Sequence, residues 1–272
     1  MSATPKYSRA QLSAARKRRL EADRRRRTQE EAQHRRQIER QAREQRCAGD
    51  RGEGLTPATQ ALADLDAWYQ ALCQDPTLQR WVAREVAALE RLPRAAAAAV
   101  RAGDHDLPQR LLAQARTEEQ RIVALAETAQ LKADCRDGIA QDMAAVLADM
   151  GFILAPTRAE HPDQPATALI LQAEKPSGQA LFISVPLEGE IWYELHGYPF
   201  IDQTTPGGET KTTCATALAL LDAMRARLAA THAVIVDPIQ WAGNTAAPNA
   251  ATTDVAPSIQ PVTNVTPTGK RR

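Results

Sequence analysis

The sequence predicts an α-rich α+β protein: a long basic N-terminal helix, a helical middle region, a small antiparallel β-sheet flanked by helices, and a disordered C-terminal tail. Aromatic residues make up only 4% of the 272 residues, whereas alanine, the best helix former, is abundant. Apolar residues recur at three- and four-residue spacing between residues 55 and 150, and at every second position between 179 and 198. No aromatic residue occurs beyond residue 241, so that segment cannot bury enough apolar area to offset its ordering entropy.

These patterns divide the chain into five segments. They are a basic helical arm (1–48), a glycine-rich linker (49–54), a helical region (55–137), a small α+β module (138–241) and a disordered tail (242–272). The net charge of +1 hides an asymmetry, because the arm carries 15 Lys and Arg against 6 Asp and Glu. A basic arm that is joined to an acidic body is typically a segment that binds a partner.

The arm is predicted to be a helix from about Ser8 to Arg46, after a frayed terminus, because it lacks Gly and Pro and is rich in Ala, Arg, Glu and Gln. Leu12, Leu20 and Ile38 do not form a heptad seam, so a conventional coiled coil is not predicted. We expect a solvated helix, or one completed by a partner. Four i,i+4 ion pairs with the acid first favour it: Glu21–Arg25, Asp23–Arg27, Glu31–Arg35 and Glu39–Arg43.

The basic side chains of the arm are the candidate binding residues. A row of cations on a helix can neutralise phosphates and bind nucleic acid by counterion release, or can dock an acidic protein; an inert, solvated spacer is the third interpretation. No aromatic side chain interleaves, so base stacking is not predicted and nucleic-acid binding would be non-specific. The candidates are Lys17, Arg18, Arg19, Arg24, Arg25, Arg26, Arg27, Arg35 and Arg36.

The helical region reads as successive helices with apolar stripes. Thr56 and Pro57 have the residue types of an N-cap and first helical position. A break is predicted at 74–79, and the turn at 102–108 precedes a long helical pattern that ends near Met150. Gly138 is expected to kink or split that last helix. Helix–helix packing is the expected role of the stripes.

From Gly151 the period changes to that of strands. Strands are predicted at 152–156 and 166–174, and a hairpin over 179–198 that turns around Glu188-Gly189. A helix is predicted to open after the Pro-Gly-Gly stretch at 206–208, and a last strand is predicted at 233–238. The order of helix, three or four antiparallel strands and helix is similar to that of a double-stranded-RNA-binding domain. That family opens its second helix with several lysines, and here the matching stretch offers only Lys211.

A second resemblance covers residues 181–228. A hairpin with a glycine turn, a glycine after its second strand and a cysteine at the start of the next helix are matched by Gly189, Gly197 and Cys214. This arrangement resembles a small uncharacterised bacterial family encoded near AAA+ ATPases, although the insertion after Gly197 is longer than in that family. The resemblance implies association with a larger machine, an AAA+ ATPase among the expected protein partners, and no known chemistry.

Neither a metal site nor a disulfide framework is predicted, because the four cysteines are scattered and no histidines cluster. Reduced thiols and a cytoplasmic location are expected, without a cofactor, secretory signal or membrane span. A cysteine at a helix start has a lowered pKa, so Cys214 with His196 is the candidate for a cysteine-dependent enzyme. No third orienting group stands out, and a buried packing cysteine is the commoner case.

Together these patterns favour a non-enzymatic adaptor or scaffold subunit of a bacterial cytoplasmic complex. In this hypothesis the arm docks an acidic partner or nucleic acid, the middle helices pack or self-associate into a homo-oligomer, and the α+β module binds a protein. The alternatives are a non-specific nucleic-acid-binding protein and, more distantly, the cysteine enzyme.

Overall fold

A computed structural model describes residues 6–49, 56–199, 201–204, 210–213 and 215–241. The predicted tail 242–272 lies outside these residues, as does almost all of the linker 49–54. The described helices are α1 (Ala14–Gly49), α2 (Pro57–Cys73), α3 (Pro76–Ala88), α4 (Arg91–Arg101), α5 (Leu107–Asp149) and α6 (Ala215–Thr231). The described strands are β1 (Lys6–Ser8), β2 (Ala10–Leu12), β3 (Ile153–Leu154), β4 (Arg158–Ala159), β5 (Leu169–Glu174), β6 (Ala180–Val185), β7 (Ile191–His196), β8 (Ile201–Thr204), β9 (Thr210–Thr213), β10 (Val234–Val236) and β11 (Gln240–Trp241). The predicted α-rich α+β class is confirmed.

The helical region forms as predicted and closes one apolar core between α2, α3, α4 and α5. Leu65 and Trp68 of α2 pack there with Leu78 of α3 and Ile122 of α5. The predicted cap is confirmed, because the Thr56 hydroxyl accepts a hydrogen bond from a backbone N–H in the first turn of α2.

Helix α5 is continuous through Gly138, so the predicted kink is wrong. A Cβ placed at Gly138 would meet only the tip of Arg16, at 3.4 Å, and the glycine leaves room there for that side chain. The helix joins two cores: Ile122 lies in the helical core, whereas Met143 and Leu147 lie under the sheet. The predicted boundary at 137/138 therefore falls inside one rigid element.

The sheet of the α+β module has the strand order β11-β1-β7-β6-β5-β3, with β4 also paired to β5, and every pair is antiparallel. The predicted hairpin is confirmed as β6 and β7, and Gly189 in its turn has a φ of +98° that favours glycine. Leu181, Ile183 and Tyr193 point into a core shared with α5 and α6. The predicted helix opening at 206–208 is wrong, because Thr210–Thr213 pairs as a strand and α6 begins at Ala215.

The N-terminus differs most from expectation. The helix begins at Ala14 rather than Ser8, and Lys6–Ser8 is not frayed but forms a strand between β7 and β11. β2 pairs with β10. Ser8 is buried and shares a 2.8 Å hydrogen bond with the Tyr193 hydroxyl. Tertiary pairing has overridden local helix propensity here, and the arm is therefore built into the module.

Candidate functional site

Helix α1 lies against the body through one face that is largely polar. Along that face Leu20, Arg24, Glu31 and Arg35 follow at spacings of four, seven and four residues and are buried or half-buried. Residues so spaced lie within one stripe of an α-helix. The expectation of a fully solvated or partner-dependent helix is therefore wrong, because ion pairs rather than an apolar stripe hold α1 against α2, α3 and α5.

Arg35 makes the most buried of these ion pairs. Its Nη1 donates to Asp75 Oδ2 at 2.5 Å, and the two side chains are 9% and 2% exposed. Asp75 is the N-cap of α3, and its other oxygen accepts hydrogen bonds from the backbone N–H of Thr77 (2.9 Å) and Leu78 (3.0 Å). Glu119 of α5 lies 3.8 Å from Arg35 Nε. One guanidinium thus joins three helices.

Arg24 makes the second internal contact. It lies 8% exposed and pairs with Glu31 at 3.3 Å. Glu31 also accepts a 3.1 Å hydrogen bond from the Thr77 hydroxyl, which ties the pair to α3. Arg24 and Arg35 are therefore structural, and two of the nine predicted binding residues are not available to a partner.

The start of α1 is held by a third cluster. Arg16 donates to Asp142 of α5 and, at 2.9 Å, to the backbone carbonyl of His232 after α6. The His232 ring nitrogen lies 3.1 Å from the other Asp142 oxygen. Sequence reasoning did not single out any of these three residues, because they are far apart in the chain.

The opposite face of α1 is exposed and strongly basic. Seven of the nine predicted residues are exposed: Lys17, Arg18, Arg19, Arg25, Arg26, Arg27 and Arg36. Of these, Lys17 lies five turns from Arg35 on the same stripe of α1 and lines a groove with Cys135 of α5, so it does not belong to the opposite side. The structure adds Arg40 and Arg43, which are also exposed. At 100° per residue, Arg18, Arg25, Arg36 and Arg43 fall within about 20° of one another, and Arg18 and Arg36 lie five turns, about 27 Å, apart. We call these eight exposed arginines the arginine face.

Few carboxylates neutralise the arginine face. None of the four predicted i,i+4 pairs forms among the described residues. In two of them the acid pairs elsewhere, because Glu31 pairs with Arg24 beside α3 and Glu39 pairs with Arg116 of α5. On the face itself Arg26 lies 3.6 Å from Asp23, and Arg43 lies 3.2 Å from Asp64 of α2. Within the described part of the chain, no ion pair is formed by Arg18, Arg25, Arg36 or Arg40.

The cysteine alternative gains no support from the described residues. Cys214 lies outside them, and the exposed His196 pairs with Glu194 at 3.1 Å. Cys73 and Cys135 are free thiols, and burial raises the pKa of Cys135, which opposes thiolate formation. Among the residues described, no three His, Cys, Asp or Glu side chains are grouped to hold a metal ion.

No described helix is both long enough and apolar enough to cross a membrane. Comparison with known proteins finds no matching family model, no matching curated protein and no matching solved structure. The resemblance of residues 181–228 to the family encoded near AAA+ ATPases therefore stays a prediction, and the arginine face is the feature on which a function can be argued.

Proposed function

We propose that this protein is a non-enzymatic adaptor that docks on a polyanion, in the first place a nucleic-acid backbone, through the arginine face of α1. The observation that carries the proposal is the division of the arginines of one helix. Arg24 and Arg35 are buried in ion pairs with acidic side chains, whereas Arg18, Arg25 and Arg36 form an exposed row without acidic partners in the described chain.

A preformed helix makes this surface effective. The arm is tied at its start by β1 and β2 and along its length by Arg24 and Arg35, so little ordering entropy is lost on binding. Guanidinium groups present a planar fork that matches phosphate oxygens in a bidentate way. Because the face holds no aromatic side chain, it would neutralise phosphates without reading bases.

The acidic body limits how the partner can approach. Outside the arm the chain carries more Asp and Glu than Lys and Arg, so a polyanion is attracted to the arginine face and repelled elsewhere. The helical region and the sheet module stay free for a protein partner, for which an AAA+ ATPase and a second copy of the chain are the predicted candidates. An acidic protein surface is the second candidate for the arginine face, since the same charge complementarity would serve it.

The test is fluorescence anisotropy with labelled duplex DNA, duplex RNA and single strands. We expect the full chain to bind all three in low salt and the R18Q/R25Q/R26Q variant to bind at least tenfold more weakly. The matched control is R84Q/R91Q/R101Q, which removes the same charge from exposed arginines on α3 and α4 and should change affinity by less than about threefold. Absence of binding in low salt would refute nucleic acid as the partner. An acidic protein would then be the polyanion to test.

Deletion of the N-terminal arm would not be a suitable test of the arginine face. Deleting residues 1–48 removes β1 from between β7 and β11, and β2 from its pair with β10. It also leaves Asp75 buried without Arg35. Substitutions on the exposed face avoid these losses, because the side chains removed are exposed.

A further inference from the structure

A groove of about 530 Å³ opens between the C-terminal half of α1 and helices α2 and α5. A volume of this size is typical of small-molecule sites. The apolar wall is formed by Trp68 and Leu72 of α2 and Val123 of α5, whereas Ala32 lies on α1, in the wall that carries the guanidinium groups. The groove therefore offers both an apolar and a cationic surface within the reach of one small ligand.

The charges that line the groove are not balanced. Its two carboxylates are already engaged: Glu39 accepts from Arg116, and Glu119 accepts from Arg116 at 3.1 Å and from the Trp68 indole N–H at 3.1 Å. Arg43 has its own partner in Asp64 of α2. What remains is an excess of positive charge at the mouth of the groove.

Arg36 and Arg40 carry this excess. They are four residues apart on one exposed face of α1, so their side chains are neighbours about 6 Å apart along the helix axis. Neither forms an ion pair within the described residues. Two adjacent guanidinium groups can grip one phosphoryl group through several charge-assisted hydrogen bonds.

We propose that this groove is a binding site for a small organic phosphate, held by its phosphoryl group between Arg36 and Arg40 and by its apolar part against Val123 and Ala32. Two unpaired cations match a phosphomonoester, which carries about two negative charges at pH 7, better than a singly charged carboxylate. The proposal goes beyond polyanion docking, because it needs the groove and its apolar wall rather than the length of the arginine face.

The test is isothermal titration calorimetry of the full chain with AMP, adenosine and inorganic phosphate as probes. AMP is expected to bind saturably to one site. Adenosine lacks the phosphoryl group and phosphate lacks the apolar part, so each should bind at least tenfold more weakly. R36Q/R40Q should weaken AMP binding about tenfold or more, since charge-assisted hydrogen bonds are lost.

The matched control is R18Q/R25Q, which removes the same charge from the same side of α1 outside the groove. It should leave AMP affinity within about twofold while weakening nucleic-acid binding, so the two proposals can fail separately. Equal loss of AMP binding in both variants would show diffuse attraction and overturn the site. Phosphate binding as tightly as AMP would remove the role of the apolar wall, and no AMP binding in millimolar ligand would also overturn the proposal. Unchanged circular dichroism spectra of both variants would establish that the fold is retained.

Discussion

The Arg35–Asp75 ion pair should dominate the docking of α1 on the body. Substituting Arg35 by methionine keeps much of the side-chain volume but leaves the Asp75 carboxylate, 2% exposed, without its cation. Breaking a buried pair in this way costs about 3–5 kcal/mol. Asp75 keeps its hydrogen bonds from Thr77 and Leu78, which offset part of the loss. We therefore expect Arg35→Met to lower the free energy of unfolding by about 3 kcal/mol.

The reciprocal change should cost less. Asn is as good an N-cap as Asp, so Asp75→Asn preserves the start of α3 while removing the charge. Arg35 is then left with Glu119, 3.8 Å from its Nε, and the expected loss is about 2 kcal/mol. In the double variant no unpaired charge remains at this site, so its loss should be no larger than that of Arg35→Met alone. We therefore expect a loss of at most about 3 kcal/mol, which corresponds to a coupling of at least 2 kcal/mol, roughly.

The assay is urea denaturation followed by circular dichroism and by tryptophan fluorescence, to which Trp68 in the helical core and Trp81 packed against it contribute. The exposed Arg84→Met is the control and should change stability by less than about 0.5 kcal/mol. Losses from the two single variants that simply add in the double variant would refute the reasoning, because independent sites show no coupling.

Two further predictions concern the sheet module. Burial raises the pKa of Tyr193 to about 12, against 10.0 in the unfolded chain. A group whose pKa is raised on folding stabilises the folded state at pH values below its unfolded pKa. About 2–3 kcal/mol of folding stability should therefore be lost as pH rises from 10 to 12. Tyr193→Phe should remove that portion of the pH dependence in urea titrations at pH 9 to 12, and an unchanged dependence would contradict the assignment. Gly197 has a φ of +74°, and a Cβ there would lie 2.4 Å from the carbonyl oxygen of Gly178. Left-handed backbone strain alone costs about 1–2 kcal/mol, so Gly197→Ala should lower the free energy of unfolding by more than that. Gly189→Ala, with a φ of +98° and nothing within 4 Å of the added Cβ, should show only that strain, and equal thermal shifts in the two variants would refute the proposed clash.

The hairpin of β6 and β7 could be predicted from the sequence because its signals are local. Apolar residues alternate on both sides of Gly189, and a glycine in the turn marks the reversal. Strands β1 and β2 lack such signals. Each is three residues long. The residues they pair with, such as Tyr193 for Lys6 and Val234 for Leu12, are far away in the chain, so only tertiary pairing reveals these strands.

The packing of α1 against the body could not be predicted from the sequence, for a different reason. Periodicity finds the buried face of a helix from its apolar residues, and here arginines occupy that face. Arg24 and Arg35 could not be distinguished from Arg25 and Arg36 without knowing that Asp75 and Glu31 lie beside them in the fold. One signal was available: Arg18, Arg25, Arg36 and Arg43 recur at intervals of 7, 11 and 7 residues, which place them on one side of a helix.

The most direct test of the arginine face is the salt dependence of nucleic-acid binding. The slope of log affinity against log salt concentration for duplex DNA reports how many phosphates the protein neutralises, at about 0.9 per contact. The account predicts a steep slope for the full chain that becomes shallower by about 2–3 in R18Q/R25Q/R26Q and is unchanged in R84Q/R91Q/R101Q. Equal slopes in all three proteins would contradict it, because the phosphates would then be contacted somewhere other than the arginine face.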